Sequence, residues 1–435
     1  MLNIIRLERS GPLSGSVKIQ GSKNSSLALM AACCLCDQTV ALSGIPDIYD
    51  IRVICDIASD IGMTAVRQPN GDVTLDPGSI RHADIDKDKA SSYRASYYFI
   101  GALLAKFGKV SIGFPGGDNF VSRPIDQHLK GLKALGATFT FHNDYYTVEA
   151  AKLTGADIYF DTITSGATIN CMLAAVLAEG RTTLRGAAKD PEVVDTAIML
   201  NEFGAKIYGA GTDTIRIDGV KSLGGGTHTV IPDRLIAGAF LMSAGITGGS
   251  VTVNDVIPDH LGSCIAKLSE IGLDIDYRDQ SITASSAGKL KATRVRTAMY
   301  PGFATDLQQP LTALLTQATG RSIISEKIYP KRFQHVAQLR RMGASIDVRG
   351  NTAFIRGGAP LAGNWVHATD IRAGTCLLLA GLAAEGATYL TGIEHIERGY
   401  EDAIAAFRSI GANMQLEQVD AAHAAEKLRI STIQL

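Results

Sequence analysis

Three stretches carry charged side chains in turn-rich, non-periodic surroundings, where neither core packing nor surface solvation accounts for them well. The first, Gly21-Ser22-Lys23-Asn24-Ser25-Ser26, precedes an apolar helical run that starts at Leu27. Small residues and a lysine at a helix N-terminus suit an anion, because free backbone N–H groups and the helix dipole point at it. A plain N-cap with a solvated lysine fits the same residues. The second, Pro115-Gly116-Gly117-Asp118-Asn119-Phe120-Val121-Ser122-Arg123-Pro124-Ile125-Asp126-Gln127-His128, sets two glycines, an acid and a cation before the next helix. Glycine freedom followed by a proline predicts a mobile loop over 115–124 that closes over a substrate. A solvated surface loop is the alternative. The third group lies in the second half: Tyr300 to Asp306, Lys331-Arg332-Phe333, Ala368 to Gly374 with Asp370 and Arg372, and Glu397-Arg398-Gly399-Tyr400. Asp233, Asp306 and Asp370 stand at matching strand-to-helix junctions, so a helix N-cap is predicted at each. The arginines suit a small, doubly anionic substrate, which requires converging guanidinium groups.

The elements that position these residues repeat along the chain. A helical stretch ending in a glycine turn and then a β-rich run occurs six times: DIASDIGMTAV, LKALGATFTF, LNEFGAKIYG, LSEIGLDIDY, LRRMGASIDV and FRSIGANMQL. The turn glycines, Gly62, Gly136, Gly204, Gly272, Gly343 and Gly411, follow one another at intervals of 68 to 74 residues. Between them lies a second helix rich in Ala and Gly, as in INCMLAAVLAEG and GTCLLLAGLAAEG. Small residues on every face predict closely packed, buried helices, with the amphipathic ones outside. Each unit reads β-α-β-α-β-β. Six such units predict two similar α/β domains of three units each, with a ligand-binding cleft between them; solenoids use shorter repeats.

Composition limits the remaining classes. The 435 residues are 46% hydrophobic and 20% charged, which suits a globular protein with ample core. Forty-two Lys+Arg against 43 Asp+Glu leave a net charge of −1, so no global field draws the protein to nucleic acid or anionic lipid. Anion recognition must be local. Apolar runs such as Cys376 to Ala384 fall well short of the ~20 residues a bilayer requires. Arg6, Glu8 and Arg9 follow the first apolar residues too closely for a signal peptide. Seven cysteines, mostly in apolar helical runs, predict reduced thiols in a cytoplasmic protein. Cys33, Cys34 and Cys36 have no further ligand at zinc spacing, so no metal site is expected. The tail after Gln415 reads as an amphipathic extension.

Together, GSKNSSLALMAA, SSYRAS, PGGDNFVSRPIDQH, TSGATIN, DPEVVDTA, PDRLIAGAFL, FATDLQQP, KRFQH, ATDIRAG and HIERGYE resemble, in order and spacing, the enolpyruvyl transferases, from Met1 to about Met414. The resemblance implies a two-domain inside-out α/β barrel, each domain three βαβαββ units around buried helices. One domain would be 22–231, with the mobile loop, and the other 1–21 plus 232–435. It also implies transfer of the enolpyruvyl group of phosphoenolpyruvate to the 3'-hydroxyl of UDP-N-acetylglucosamine, releasing phosphate, with no metal or organic cofactor. This would be the first committed step of peptidoglycan synthesis, serving cell-wall biogenesis, cell shape and division.

Position by position, the resemblance implies that Lys23, Arg123 and Arg398 hold the phosphate of phosphoenolpyruvate, and Arg332 and Arg372 its carboxylate. Asp306 would take the proton of the acceptor hydroxyl, and Asp370 would assist the tetrahedral intermediate. Asn24, Arg94, Pro124, Ile125, Asp126, Thr164, Gly166 and Ile328 would line the sugar-nucleotide pocket. Asp118 stands where most members have Cys and a minority Asp; it would protonate the methylene carbon of phosphoenolpyruvate, and a carboxylate there implies resistance to the epoxide fosfomycin. Three departures bear on the acceptor: Thr162 where many members have Lys, Ile236 where many have an acid, and Pro330 before the KRF segment. Enzymes acting on shikimate 3-phosphate or a nucleoside monophosphate, and a silent sugar-nucleotide-binding paralogue, are the alternatives.

Overall fold

The computed structural model describes residues 1–92, 94–114, 116, 124–286 and 288–429, with Arg94 described by its backbone alone. The chain divides into two compact units, one of Gln20–Ile231 and one of Met1–Ile19 with Pro232–Leu435.

In each unit three helices are buried along nearly their whole length: Lys23–Ala32, Tyr98–Phe107 and Ser165–Val176 in the first, Arg234–Thr247, Thr305–Leu315 and Ile371–Ala383 in the second. Their small residues account for the close packing. A Cβ on Gly101 would stand 2.1 Å from the Asn170 carbonyl oxygen of the neighbouring helix, and one on Gly245 would stand 2.8 Å from a Leu314 methyl. Larger side chains there would force the helices apart.

Among the described residues, six small sheets share one design, a parallel pair extended by two antiparallel strands. One example is Arg294–Arg296, Gly320–Ser325, Thr352–Gly357 and Ser345–Arg349 in spatial order. The sheet of Lys109–Gly113 has three strands, its parallel partner being reduced to a bridge between Asp84 and Ser111. The six turn glycines precede the edge strands with φ between 92° and 109°, a left-handed conformation that side chains resist.

The linear β-α-β-α-β-β reading needs one correction, because the repeat closes across distant sequence. Ser14–Lys18 pairs with Ser250–Asn254, Gly226–Thr229 pairs with Val40–Ser43, and Leu2–Leu7 pairs with both Thr388–Thr391 and Met414–Val419. A strand accepts any partner with matching register, so the N-terminal strands complete units whose helices come much later. Helix Pro191–Glu202 also departs from a simple outer helix. It packs on Lys23–Ala32 and buries Glu192, Asp195 and Thr196.

The tail forms the helix Ala421–Leu428, capped by Asp420. Arg341 donates to the carbonyls of Lys427, Leu428 and Trp365, and His423 meets the Trp365 ring edge-on at 5.6 Å.

Gly411 isolates the backbone requirement, because a Cβ there would meet nothing within 4 Å. Gly411→Ala is expected to lower unfolding free energy by about 1–2 kcal/mol through φ alone. Urea denaturation with an unchanged m-value is the check.

Candidate active site

Three segments of the unit containing Pro232–Leu435 bring charge together. Asp306 is in the first turn of helix Thr305–Leu315, Arg372 in the first turn of helix Ile371–Ala383, and Arg332 on the loop before helix His335–Arg341. Both arginines are buried, with 3% and 7% exposure for Arg332 and Arg372. Nη1 of Arg332 donates to Asp306 Oδ1 at 2.5 Å, and Nε of Arg372 donates to Asp306 Oδ2 at 3.2 Å. Burial pushes the Asp306 carboxyl up, but the two guanidinium charges outweigh it and hold the group well below the usual carboxylate range. Burial likewise works against both guanidiniums, but Asp306 together with further acids, Asp370 for Arg332 and Asp233 for Arg372, raises both overall.

The expected N-caps divide. Asp233 accepts from the N–H groups of Leu235 and Ile236, and Asp370 from those of Arg372 and Ala373. Asp306 does not cap. Its helix begins after Ala304 without a side-chain cap, and the carboxylate turns to two cations instead. Charge-assisted bonds to guanidinium are about twice as strong as neutral ones, which decides the orientation. The terminal nitrogens of Arg372 have no hydrogen-bond partner among the described residues. Arg398 closes the short helix Ile393–Glu397 and is half-buried.

In the unit Gln20–Ile231, Ser22 caps the helix that Lys23 begins, accepting from the Ser25 N–H at 3.4 Å. The lysine itself is not solvated: it is 9% exposed and forms an ion pair with Asp50, which is completely buried. Behind it, Ser25 Oγ donates to Asp195, whose other oxygen meets His228 Nε2 at 3.0 Å; His228 Nδ1 meets Glu202 at 2.8 Å. Burial would lower the His228 pKa, but the two carboxylates raise it overall.

Asn24 is half-buried beside Lys23, Pro124 and Asp126 are exposed, and Ile125 packs on the core. Gln127 donates to Asp126 at 2.6 Å. Thr164 precedes helix Ser165–Val176, where its carbonyl accepts from both the N–H and the hydroxyl of Thr168. Gly166 packs tightly on Tyr97, since a Cβ would stand 2.5 Å from its Oη and the ring would have to move. The Ile328 N–H donates to Glu326 Oε1 at 2.8 Å. Arg94 opens the turn Arg94–Tyr97, while Asp118 and Arg123 lie outside the described residues. Thr162 and Pro330 are exposed; Ile236 is 2% exposed in the core of its unit, which by itself explains an apolar residue there. Asp50 and Glu326 were not singled out from sequence. Each reads locally as an ordinary acid, and only the fold supplies its partners.

A family model described as EPSP synthase (3-phosphoshikimate 1-carboxyvinyltransferase) matches residues 7–407. The chain belongs to the EPSP synthase family. Two relatives named UDP-N-acetylglucosamine 1-carboxyvinyltransferase 2 fit this membership. The one from Bacillus subtilis (strain 168) is 47% identical over 408 residues, covering 94% of this chain and 95% of its own. The one from Bacillus anthracis is 45% identical over 413 residues, covering 95% and 96%. Among solved structures, the enolpyruvyl transferase NikO from Streptomyces tendae superposes with a TM-score of 0.87 at 25% identity, over 96% of this chain and 100% of that one. EPSP synthase from Acinetobacter baumannii shares the fold, with a TM-score of 0.73 at 19% identity and the same coverage. The two-domain α/β architecture expected from sequence is therefore that of the EPSP synthase family.

His335 offers a test of how this family member tolerates its buried cations. It is fully buried, neither ring nitrogen has a hydrogen-bond partner among the described residues, and burial with the charge of Arg332 pushes it down to about 3. The unfolded chain takes up a proton near pH 6.5 that the folded chain refuses until about pH 3, so stability falls as pH drops through this window. His335→Leu should flatten the slope of unfolding free energy between pH 6 and 4 by about 1.4 kcal/mol per pH unit. Urea denaturation across that range measures it, and an unchanged slope would contradict a neutral imidazole.

Proposed function

We propose that this protein transfers the enolpyruvyl group of phosphoenolpyruvate to the 3'-hydroxyl of UDP-N-acetylglucosamine, with release of phosphate. The acceptor is supported by the names of relatives 45–47% identical over nearly the full chain. The observation that carries the donor is the buried pair Arg332 and Arg372 sharing Asp306, with the terminal nitrogens of Arg372 available to an anion. A planar carboxylate matches a guanidinium fork through two parallel hydrogen bonds.

In this reading Arg332 and Arg372 take the carboxylate of phosphoenolpyruvate, and Lys23, Arg123 and Arg398 take its phosphate. Asp118 gives a proton to the methylene carbon, the acceptor oxygen attacks the adjacent carbon, and Asp306 receives the hydroxyl proton. Asp370 assists the resulting tetrahedral intermediate, and loss of the methyl proton then expels phosphate. Asn24, Arg94, Pro124, Ile125, Asp126, Thr164, Gly166 and Ile328 hold the sugar nucleotide.

Asp306 is a poor base while two guanidiniums hold it. A substrate carboxylate competes for the same donors, so binding weakens their grip and raises the basicity of Asp306 where the hydroxyl arrives. Asp118 faces the reverse problem, since an acid needs to keep its proton at neutral pH. Desolvation beside the substrate's negative charges supplies that bias, against the opposing charge of Arg123.

We place the reaction in the cytoplasm, at the first committed step of peptidoglycan synthesis. No helix among the described residues is long and apolar enough to cross a membrane. A different hydroxyl acceptor is the second reading, favoured by Thr162 and Pro330 at exposed positions; the core position of Ile236 gives it no support.

A phosphate-release assay with phosphoenolpyruvate separates these readings. Release is expected with UDP-N-acetylglucosamine and not with shikimate 3-phosphate or uridine monophosphate; the opposite pattern would assign another acceptor, and silence with all three would remove the reaction. Fosfomycin probes residue 118 separately. Six of the seven thiols are buried and burial pushes the seventh, Cys55, up to about 11, leaving the drug no ready thiolate. Turnover should persist in fosfomycin with no adduct by intact mass, whereas Asp118→Asn should abolish it. Full activity of Asp118→Asn would assign the proton to another group.

A further inference from the structure

One carboxylate beneath the Asp306 cluster has no role in the reaction just described. Glu326, at the end of strand Gly320–Ser325, is completely buried, and among the described residues no cation pairs with it. Four neutral donors surround it instead. Oε1 accepts from Thr297 Oγ1 at 2.7 Å, from the Ile328 N–H at 2.8 Å and from the Tyr329 N–H at 3.0 Å; Oε2 accepts from Thr305 Oγ1 at 2.9 Å. Thr297 Oγ1 in turn accepts from the Lys327 N–H at 2.8 Å. A buried carboxylate is costly, and a donor set this complete is complementary to its ionised form.

The bond to Thr305 fixes more than the threonine. A hydroxyl has one proton and two lone pairs. With its proton committed to Glu326, Thr305 can present only lone pairs to Arg332, whose Nη1 donates to it at 3.2 Å while also donating to Asp306 Oδ1 at 2.5 Å. The same nitrogen is therefore held between two acceptors, and the orientation of one of them is set by Glu326. The other oxygen of Glu326, Oε1, anchors the backbone of 328–329, the segment carrying Ile328, with the Tyr329 ring 5.7 Å from the Arg332 guanidinium carbon.

We propose that Glu326 is a positioning residue with two branches: through the Thr305 hydroxyl it aims Arg332 at Asp306, and through two backbone N–H groups it sets the segment bearing Ile328. The inference deepens the reaction proposed above and takes its substrates from that reading. One branch serves the carboxylate of phosphoenolpyruvate and the other the sugar nucleotide, so they are separable by which KM moves.

A glutamine at 326 cannot serve both oxygens, because its amide would oppose either the Thr305 proton or the three donors on the other side. Glu326→Gln is expected to raise the KM for both substrates. Should that variant fail to fold, Thr305 decides alone. Thr305→Val is expected to raise the KM for phosphoenolpyruvate about tenfold, the value of one hydrogen bond to a charged group, with the KM for UDP-N-acetylglucosamine within about twofold. Thr305→Ser, which keeps the hydroxyl, should restore it. A Thr305→Val enzyme whose KM for phosphoenolpyruvate stays within about twofold of wild type overturns the proposal. So does a serine variant as impaired as the valine one, or an equal rise for both substrates in Thr305→Val. Wild-type turnover, measured first, separates the two claims, since a silent wild type removes the reaction and not the relay. The crystal structure of Thr305→Val then decides: Arg332 withdrawn from Asp306 Oδ1 supports the relay, and Arg332 in its original place overturns it.

Discussion

Two buried guanidiniums side by side would repel one another and lose their hydration, and a single carboxylate between them makes the arrangement tolerable. Much of the local structure follows from this. Asp306 forgoes its place as a helix cap, and the start of its helix goes without a side-chain cap. His335, close to Arg332 in a fully buried position, stays uncharged. The terminal nitrogens of Arg372 have no partner among the described residues, which is why we propose them as donors to a substrate anion. Asp306 acts as the counter-ion of both guanidiniums, the place that in the proposed reaction a substrate anion takes over.

The scaffold supplies the stiffness such an arrangement needs. Asp306 and Arg372 start two of the buried helices, which pack directly against each other, and Arg332 follows a strand of the surrounding sheet. Charges placed at the ends of closely packed helices do not drift apart to relieve their repulsion or approach further to deepen their attraction. In the unit Gln20–Ile231 the same logic appears on a smaller scale, where Lys23 and Asp50 join the first turns of a buried and an outer helix. In both units an acid at a helix start offsets cations that the helix N-terminus would otherwise disfavour.

The sixfold organisation was legible because it rests on local rules. Gly62, Gly136, Gly204, Gly272, Gly343 and Gly411 mark a backbone conformation that other residues resist, and the alanine- and glycine-rich helices announce close packing without any knowledge of the neighbour. Strand pairing is a different kind of information. Nothing in Leu2–Leu7 says that its partners lie at Thr388–Thr391 and Met414–Val419, since hydrophobic alternation fixes the buried face and leaves the partner open. The site residues divide in the same way. Asp233 and Asp370 are legible as caps from their positions, whereas Asp306 looks identical in sequence and behaves differently because two arginines reach it from elsewhere. Lys23 reads from sequence as an anion ligand or as a solvated lysine beside an N-cap, and neither reading foresees Asp50 beside it. Glu326 is invisible for the same reason, as all but two of its donors come from other strands, helices and turns.

In the proposed reaction Asp306 is the counter-ion that a substrate carboxylate replaces. A crystal structure of the protein with phosphoenolpyruvate bound tests this most directly. The carboxylate should lie within hydrogen-bond distance of the Arg372 terminal nitrogens and of Arg332, with Asp306 released from at least one of the two guanidiniums. Phosphoenolpyruvate bound elsewhere, with Asp306 still bridging both arginines, would contradict the account.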